Sequence, residues 1–107
     1  MQKKPKIQNL PATVETCIER GHYLDTRHAT DRQTERSISR TEILYVLRNG
    51  RHEKSKDQYQ ERFKAWNYAI RGRTIDKREV RVIVSFDENN MLIITAIELG
   101  AEHGKKN

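Results

Sequence analysis

The chain has 107 residues, of which 35% are hydrophobic and 34% are charged, and this balance predicts one domain with a single modest core. A formal net charge of +6 favours an anionic partner: nucleic acid first, an acidic protein second and a membrane surface third. The single cysteine, Cys17, excludes an intrachain disulfide, and no apolar run approaches the roughly 20 residues of a membrane span. We therefore expect a cytoplasmic protein without a membrane partner.

Apolar residues recur at helical spacing near the N-terminus and predict a first helix. Leu10, Val14 and Ile18 lie on one face of it, with a proline in the first turn. Gly21 is typical of the residue that follows a helix. Residues 1–8 precede this helix and are expected to form a flexible basic tail.

A histidine and two arginines then recur at intervals of four residues. If the segment is helical, His28, Arg32 and Arg36 form one stripe of side chains. Ala29 is the only hydrophobic residue of the stripe, so a helix here buries little and is exposed or faces a ligand. A titratable imidazole beside two cations suits a phosphate-handling surface, and the same pattern also fits a solvated helix face with salt bridges.

The clearest predicted element is the helix that follows. Ser39 and Glu42 have the spacing of a capping box, and Gly50 is expected to close the helix. Its apolar face consists of Ile43, Leu44, Val46 and Leu47.

From Arg51 onward the apolar period changes from about 3.6 to about 2, which predicts strands. The expected strands are 66–70, 80–86 and 91–99, with a hairpin turn at 87–90. The polar stretch 51–62 fits an edge strand or a mobile loop, and we favour the strand.

Helices followed by antiparallel strands predict an α+β fold. We expect one domain over residues 9–101, in which two to three N-terminal helices pack on a three- to four-stranded, mostly antiparallel sheet. Residues 102–107 are expected to form a second flexible tail.

The middle of the chain carries most of the positive charge. Residues 48–64 hold six basic and three acidic side chains, and residues 71–81 hold five and two. Aromatic side chains among such cations can stack on bases, and Tyr59 lies in the polar stretch, whereas Trp66 fits the core. The predicted nucleic-acid-binding residues are Lys64, Arg71, Arg73 and Tyr59.

The chain also resembles a known family. The features that carry the resemblance are His28, Arg32 and Arg36, Ile38, the helix over 39–50, and the strand segments 81–87 and 93–98. Together they resemble a small prokaryotic family known only as a domain of unknown function, itself similar to the BrnT toxins and more distantly to the RelE-like ribonuclease fold. The resemblance covers residues 28–99. It implies a RelE/BrnT-like fold and the activity of a ribonuclease toxin.

Metal-independent RNA cleavage needs an acid, a base and cations around the phosphate. His28 is the predicted acid or base, and Arg32, Arg36 and Arg81 are the predicted phosphate ligands. A second acid or base is not evident; the candidates are Glu98, His52 and Tyr68. The four histidines are isolated from one another, so we expect no metal site and no cofactor.

The position of Arg81 decides whether these four residues meet. Val80, Val82 and Val84 alternate with Arg81 along one predicted strand. If the valines face away from the helices, Arg81 can join the stripe; if they face the helices, Arg81 points to the other side. Ile83 lies on the same side as Arg81, so both sides are partly apolar and the pattern leaves the choice open.

Three functions remain open at this point. The first is a RelE/BrnT-like, metal-independent endoribonuclease, the toxin of a toxin–antitoxin pair. The second is a non-catalytic module that binds RNA or another nucleic acid. The third is a protein-interaction domain that binds an acidic, antitoxin-like partner.

Overall fold

Two helices lie on one face of a six-stranded sheet in the computed structural model, which describes residues 4–27 and 38–99. The helices are α1 (Leu10–Arg20) and α2 (Arg40–Asn49). The strands are β1 (Tyr23–Asp25), β2 (Arg51–His52), β3 (Gln58–Gln60), β4 (Ala65–Arg73), β5 (Glu79–Phe86) and β6 (Met91–Glu98), and a 3₁₀ turn spans Lys54–Lys56. None of the described helices is long and apolar enough to cross a membrane.

The α+β class and the mostly antiparallel sheet are confirmed, but the predicted strand count of three to four is too low. The strand order is β1-β6-β5-β4-β2, and β3 also pairs with β4. All pairs are antiparallel except β1 with β6. The edge strand favoured over 51–62 consists of two short strands, β2 and β3, on either side of the 3₁₀ turn, and β1 is a further strand whose three residues are too few for an alternating pattern to be recognised. The predicted stripe over 28–36 lies outside the described residues.

Both helices begin and end with the predicted signals. Gly21 ends α1 with a φ of 72°, a left-handed conformation that glycine adopts without a steric penalty. At the start of α2, the Ser39 hydroxyl accepts a hydrogen bond from the Glu42 amide at 3.1 Å. The Glu42 carboxylate in turn accepts one from the Ser39 amide at 3.3 Å, so the predicted capping box is present.

The core lies between the helices and one face of the sheet. Val80, Val82 and Val84 of β5 are fully buried, and they share a hydrophobic cluster with residues of α1 and α2. Side chains alternate between the two faces of a strand, so Arg81 lies on the face away from both helices. We call that side the outer face; it carries every second residue of β4 and β5, such as Ala69, Arg71 and Arg81.

Candidate nucleic-acid interface

Three arginines lie opposite one another on neighbouring strands of the outer face. Arg51 of β2 pairs with Arg71 of β4, and Arg71 pairs with Arg81 of β5. Directly opposed residues of antiparallel strands share a face and have Cβ atoms about 4.5–5.5 Å apart. Like charges in such positions repel each other, so the arginine row (Arg51, Arg71 and Arg81) needs compensating anions.

Two glutamates supply that compensation. Glu53 accepts hydrogen bonds from Arg81 Nε at 2.7 Å and Arg81 Nη2 at 3.2 Å, and one from Arg71 Nη1 at 3.4 Å. Glu79 accepts from Arg71 Nε at 3.1 Å and from Arg73 Nε at 3.3 Å. Each guanidinium has five N–H donors, so Arg71 and Arg81 keep further donors beyond these bonds.

The ion pairs shift the pKa values of their members. The hydrogen bond from Arg81 holds the pKa of Glu53 below its usual range, and the same bond raises the pKa of Arg81. Burial alone would raise the pKa of Glu79, but the hydrogen bonds from Arg71 and Arg73 outweigh it and lower that pKa. Both carboxylates are therefore charged at neutral pH, and they hold the guanidinium groups in fixed positions.

The end of α2 meets the sheet beside the arginine row through two glycines. A Cβ atom at Gly50 would lie 2.5 Å from the Arg71 carbonyl oxygen, and one at Gly72 would lie 3.0 Å from the Gly50 Cα. Only glycine allows this close approach of the two backbones. Arg51 follows Gly50 directly, so the contact fixes the position of Arg51 relative to Arg71 on the neighbouring strand.

The segment 51–64, here called the edge ribbon, borders the sheet beyond β4 and directs its cations outward. Five of its basic side chains are exposed: Arg51, Lys54, Lys56, Arg62 and Lys64. Two of its three acids are used internally, because Glu53 binds the arginine row and the Asp57 side chain is fully buried. The positive charge that the sequence places here is thus left facing solvent.

Asp57 joins the edge ribbon to the N-terminal residues. Its carboxylate lies 2.8 Å from His52 Nε2 and 2.9 Å from Lys6 Nζ, and it also accepts the Ala69 amide at 3.0 Å. The Ile7 amide donates to the Tyr68 hydroxyl at 3.0 Å. Part of the expected basic tail over residues 1–8 therefore makes defined contacts with the sheet.

The candidates for a second acid or base all lie away from the arginine row. His52 and Tyr68 are bonded as described above, and their side chains are almost completely buried. Glu98 is paired with Val80, which places it on the helix side of the sheet, and it lies 3.5 Å from Arg78 Nη1.

The four predicted nucleic-acid-binding residues fall into separate groups. Arg71 and Arg73 lie at one end of β4, and Lys64 precedes its other end, roughly 23 Å from Arg71 at about 3.3 Å per residue. Tyr59 is opposite Trp66, and the two rings pack edge to face at 5.3 Å. Since Trp66 packs against the core, Tyr59 lies on the helix side and not with the arginines.

Of the four predicted catalytic residues, the structure places Arg81 alone. Val80, Val82 and Val84 face the helices, so Arg81 lies on the outer face. This is the second of the two arrangements that the sequence allows, in which Arg81 points away from the helix side. His28, Arg32 and Arg36 lie outside the described residues. The two residues that flank their segment are in contact, since Arg27 Nη1 donates to the Ile38 carbonyl at 2.5 Å.

Sequence reasoning missed Arg51 and the two glutamates of this interface. Arg51 counted only toward the charge of the segment 48–64, and Glu53 lies 28 residues from its partner Arg81. The detectable signal was the alternation of charge in Arg71, Arg73, Glu79 and Arg81, which puts all four on one face of two strands. Among the described residues, no three His, Cys, Asp or Glu side chains are grouped so that they could hold a metal ion.

Comparison with known proteins identifies the family but not an activity. A family model described as a domain of unknown function, DUF4258, matches residues 26–98. No curated protein and no solved structure matches the chain. The match shows no link to the BrnT toxins or to the RelE-like fold. It covers more than half of the chain, including β2 to β6 and the segment with His28, Arg32 and Arg36. The chain therefore belongs to the DUF4258 family of domains of unknown function.

Proposed function

We propose that this protein binds RNA through the arginine row and the edge ribbon, and that it cleaves the bound RNA without a metal ion. The observation that carries the binding is the alignment of Arg51, Arg71 and Arg81 on three adjacent strands. Opposed like charges cost stability unless an anionic ligand or a carboxylate lies between them. Glu53 and Glu79 pair with Arg71, Arg73 and Arg81, two carboxylates for three guanidinium groups, so the cluster retains positive charge for phosphate groups.

The cleavage step rests on the residues of the sequence stripe. In this step the ribose 2′-oxygen would attack the phosphorus while the bond to the 5′-oxygen breaks, which leaves a 2′,3′-cyclic phosphate and a 5′-hydroxyl. His28 would take the proton of the 2′-hydroxyl or give one to the leaving 5′-oxygen, with water in the other role, and Arg32 and Arg36 would neutralise the phosphate. In this proposal Arg81 and Arg71 position the RNA backbone. The sequence resemblance to a family that is similar to ribonuclease toxins, carried by His28, Arg32 and Arg36, supports this chemistry.

A second candidate, binding without cleavage, is favoured by one specific observation. Arg81 donates two hydrogen bonds of 2.7 and 3.2 Å to Glu53, so part of a guanidinium that a catalytic site would direct at the phosphate faces a carboxylate. Both candidates predict the same RNA-binding surface and differ in the roles of His28, Arg32 and Arg36.

Binding is tested with a short fluorescein-labelled single-stranded RNA, by anisotropy over a range of salt concentrations. The double variant Arg51→Gln/Arg73→Gln should bind more weakly, and its salt slope should fall by roughly 0.7 for each phosphate that the variant no longer neutralises. Arg20→Gln is the matched control, because Arg20 is exposed at the end of α1 and makes no ion pair within residues 4–27 and 38–99. Equal affinity of the double variant and the wild type would overturn the proposed surface.

Cleavage is tested on the same RNA in the presence of EDTA. Wild-type protein should produce fragments, and His28→Ala should abolish them while leaving the anisotropy titration unchanged. Binding by both proteins without fragments would reject the nuclease and leave the binding module. An acidic protein partner would be favoured if neither protein binds RNA.

A further inference from the structure

A cavity of about 700 Å³ lies at the end of the outer face away from the arginine row. Its wall is mainly apolar and includes Phe63, Ala65, Leu92 and Ile94. Cavities of about 300–1,000 Å³ with apolar walls and a few polar groups are typical of small-molecule sites. Neither the family assignment nor the arginine row explains this cavity.

Phe63 is the most exposed large hydrophobic residue of the described chain, with 69% of its surface accessible. It lies in the turn between β3 and β4, between the exposed cations Arg62 and Lys64. The Arg62 guanidinium lies 5.5 Å from the centroid of the Phe63 ring. An exposed ring with a cation on either side is what single-stranded nucleic acid binds, because the ring stacks on a base while the cations contact phosphates.

Polar groups line the cavity next to that ring. Gln60 and Asn67 both border it, and within residues 4–27 and 38–99 neither side-chain amide makes a hydrogen bond. An amide group offers both donors and an acceptor, which suits the edge of a nucleobase. Ser85 also borders the cavity, but its hydroxyl donates to the Trp66 carbonyl at 3.0 Å.

The charged residues around the cavity determine how a nucleotide would be oriented in it. Asp87 and Glu88 lie on its wall at the end of β5, and carboxylates there repel a phosphate. Lys4 also borders the cavity, and Arg62 and Lys64 lie in the adjoining β3–β4 turn. A nucleotide would therefore keep its phosphate near the turn and direct its base into the cavity.

We propose that this cavity binds one unstacked base of a single-stranded nucleic acid, with Phe63 stacking on the base and Asn67 and Gln60 contacting its edge. The inference rests on the proposed function, because the RNA backbone would continue from here to the arginine row. Asn67 and Arg71 lie on the same face of β4, four residues or roughly 13 Å apart.

The test compares three fluorescein-labelled ligands: a short single-stranded RNA, the same RNA annealed to its complement, and an abasic ribose–phosphate strand of equal length. Phe63→Ala should weaken single-strand binding by between about fivefold and about a hundredfold, the usual range for removing one aromatic ring from under a base. Its affinity for the duplex and the abasic strand should stay within about twofold of the wild type, since neither offers an unstacked base. Phe63→Trp should restore single-strand binding.

Tyr45→Ala is the matched control, because Tyr45 is an exposed aromatic residue of α2 on the other side of the sheet, and this change should leave all three affinities unaltered. Asn67→Leu is a second cavity variant that keeps the branched shape of the side chain and removes the amide, and it should also weaken only the single-strand complex. If Phe63→Ala binds all three ligands like the wild type while Arg51→Gln/Arg73→Gln is impaired, the base site is overturned and the cavity is left for a protein partner. If the wild type binds none of the ligands, the proposed RNA function and the base site both fail.

Discussion

The two faces of the sheet differ in the interactions that their side chains make. On the helix side, Val80, Val82 and Val84 are fully buried, and their contribution to stability comes from burial of apolar surface. On the outer face, Arg81 alternates with these valines along the same strand and lies in a network of ion pairs. One strand thus carries the core on one side and the candidate interface on the other.

The stability of the fold and the binding of a ligand therefore depend on different faces of the sheet. A substitution on the helix side is expected to change the free energy of unfolding, whereas one on the outer face is expected to change ligand affinity with little effect on folding. Partly exposed ion pairs contribute about 0–1 kcal/mol each, far less than a fully buried leucine or isoleucine side chain.

The largest effect is expected in the core. Leu47 is 4% exposed on the inner side of α2, so Leu47→Ala should lower the free energy of unfolding by about 2–5 kcal/mol. Ile97→Ala, on the outer face at 42% exposure, is the control and should cost less than about 1 kcal/mol. Urea unfolding of both variants measures this, and equal losses would contradict the separation of the two faces.

The helix-side core could be predicted from the sequence because it depends on periodicity alone. Leu10, Val14 and Ile18 in α1, and Ile43 and Leu47 in α2, follow the 3.6-residue repeat, and all are buried. The caps of α2 could be predicted because Ser39 and Glu42 are three residues apart. Local signals of this kind need no knowledge of how distant segments meet.

The outer face could not be predicted because it depends on strand register. Arg51, Arg71 and Arg81 are adjacent only because the hairpins align them, and no local pattern encodes that alignment. The pairing of β1 could not be predicted for a related reason: its three residues pair in parallel with Met91–Ile93, almost seventy positions along the chain. His28, Arg32 and Arg36 lie outside the described residues, so the predicted catalytic set remains a prediction.

A second, smaller loss of stability is expected at the contact between the N-terminal residues and the edge ribbon. Asp57→Asn removes the charge that Lys6 and His52 both contact while keeping an acceptor for the Ala69 amide. The loss should be about 1–3 kcal/mol, the usual cost of leaving a buried polar or charged group without its partner.

Deletion of residues 1–8 tests the same contact from the other side. It removes Lys6 and the Ile7 amide that donates to Tyr68, so it should lower the melting temperature, although by less than Asp57→Asn. A flexible tail, which the sequence predicts for residues 1–8, would instead leave the melting temperature unchanged on deletion. Thermal melts of the two variants and the wild type distinguish these outcomes, and a deletion variant that melts with the wild type would show that the N-terminal contacts stabilise nothing.

The smallest effect on stability, and the most direct test of the outer face, concerns Glu53. Glu53→Gln removes the anion shared by Arg71 and Arg81, so the free energy of unfolding at neutral pH should fall by about 1 kcal/mol. The same change frees positive charge in the arginine row, so affinity for single-stranded RNA should rise. Isothermal unfolding measures the loss of stability, and the anisotropy titration measures the gain in RNA affinity. A variant that loses RNA affinity would contradict the role of Glu53 as an internal counter-ion.

The pH dependence of Glu53→Gln gives an independent check with a defined sign. The hydrogen bond from Arg81 lowers the pKa of Glu53 in the folded state below the value of about 4.3 that a glutamate has in an unfolded chain. The stabilisation from Glu53 is therefore fully present above about pH 4.3 and is lost as the pH falls through the lowered folded-state pKa. Unfolding free energies measured from neutral pH down into this acidic range should consequently fall less steeply for Glu53→Gln than for the wild type. Glu61→Gln is the control, since Glu61 is an exposed acid of the same edge ribbon that forms no ion pair in the described parts of the chain, and it should keep the wild-type slope.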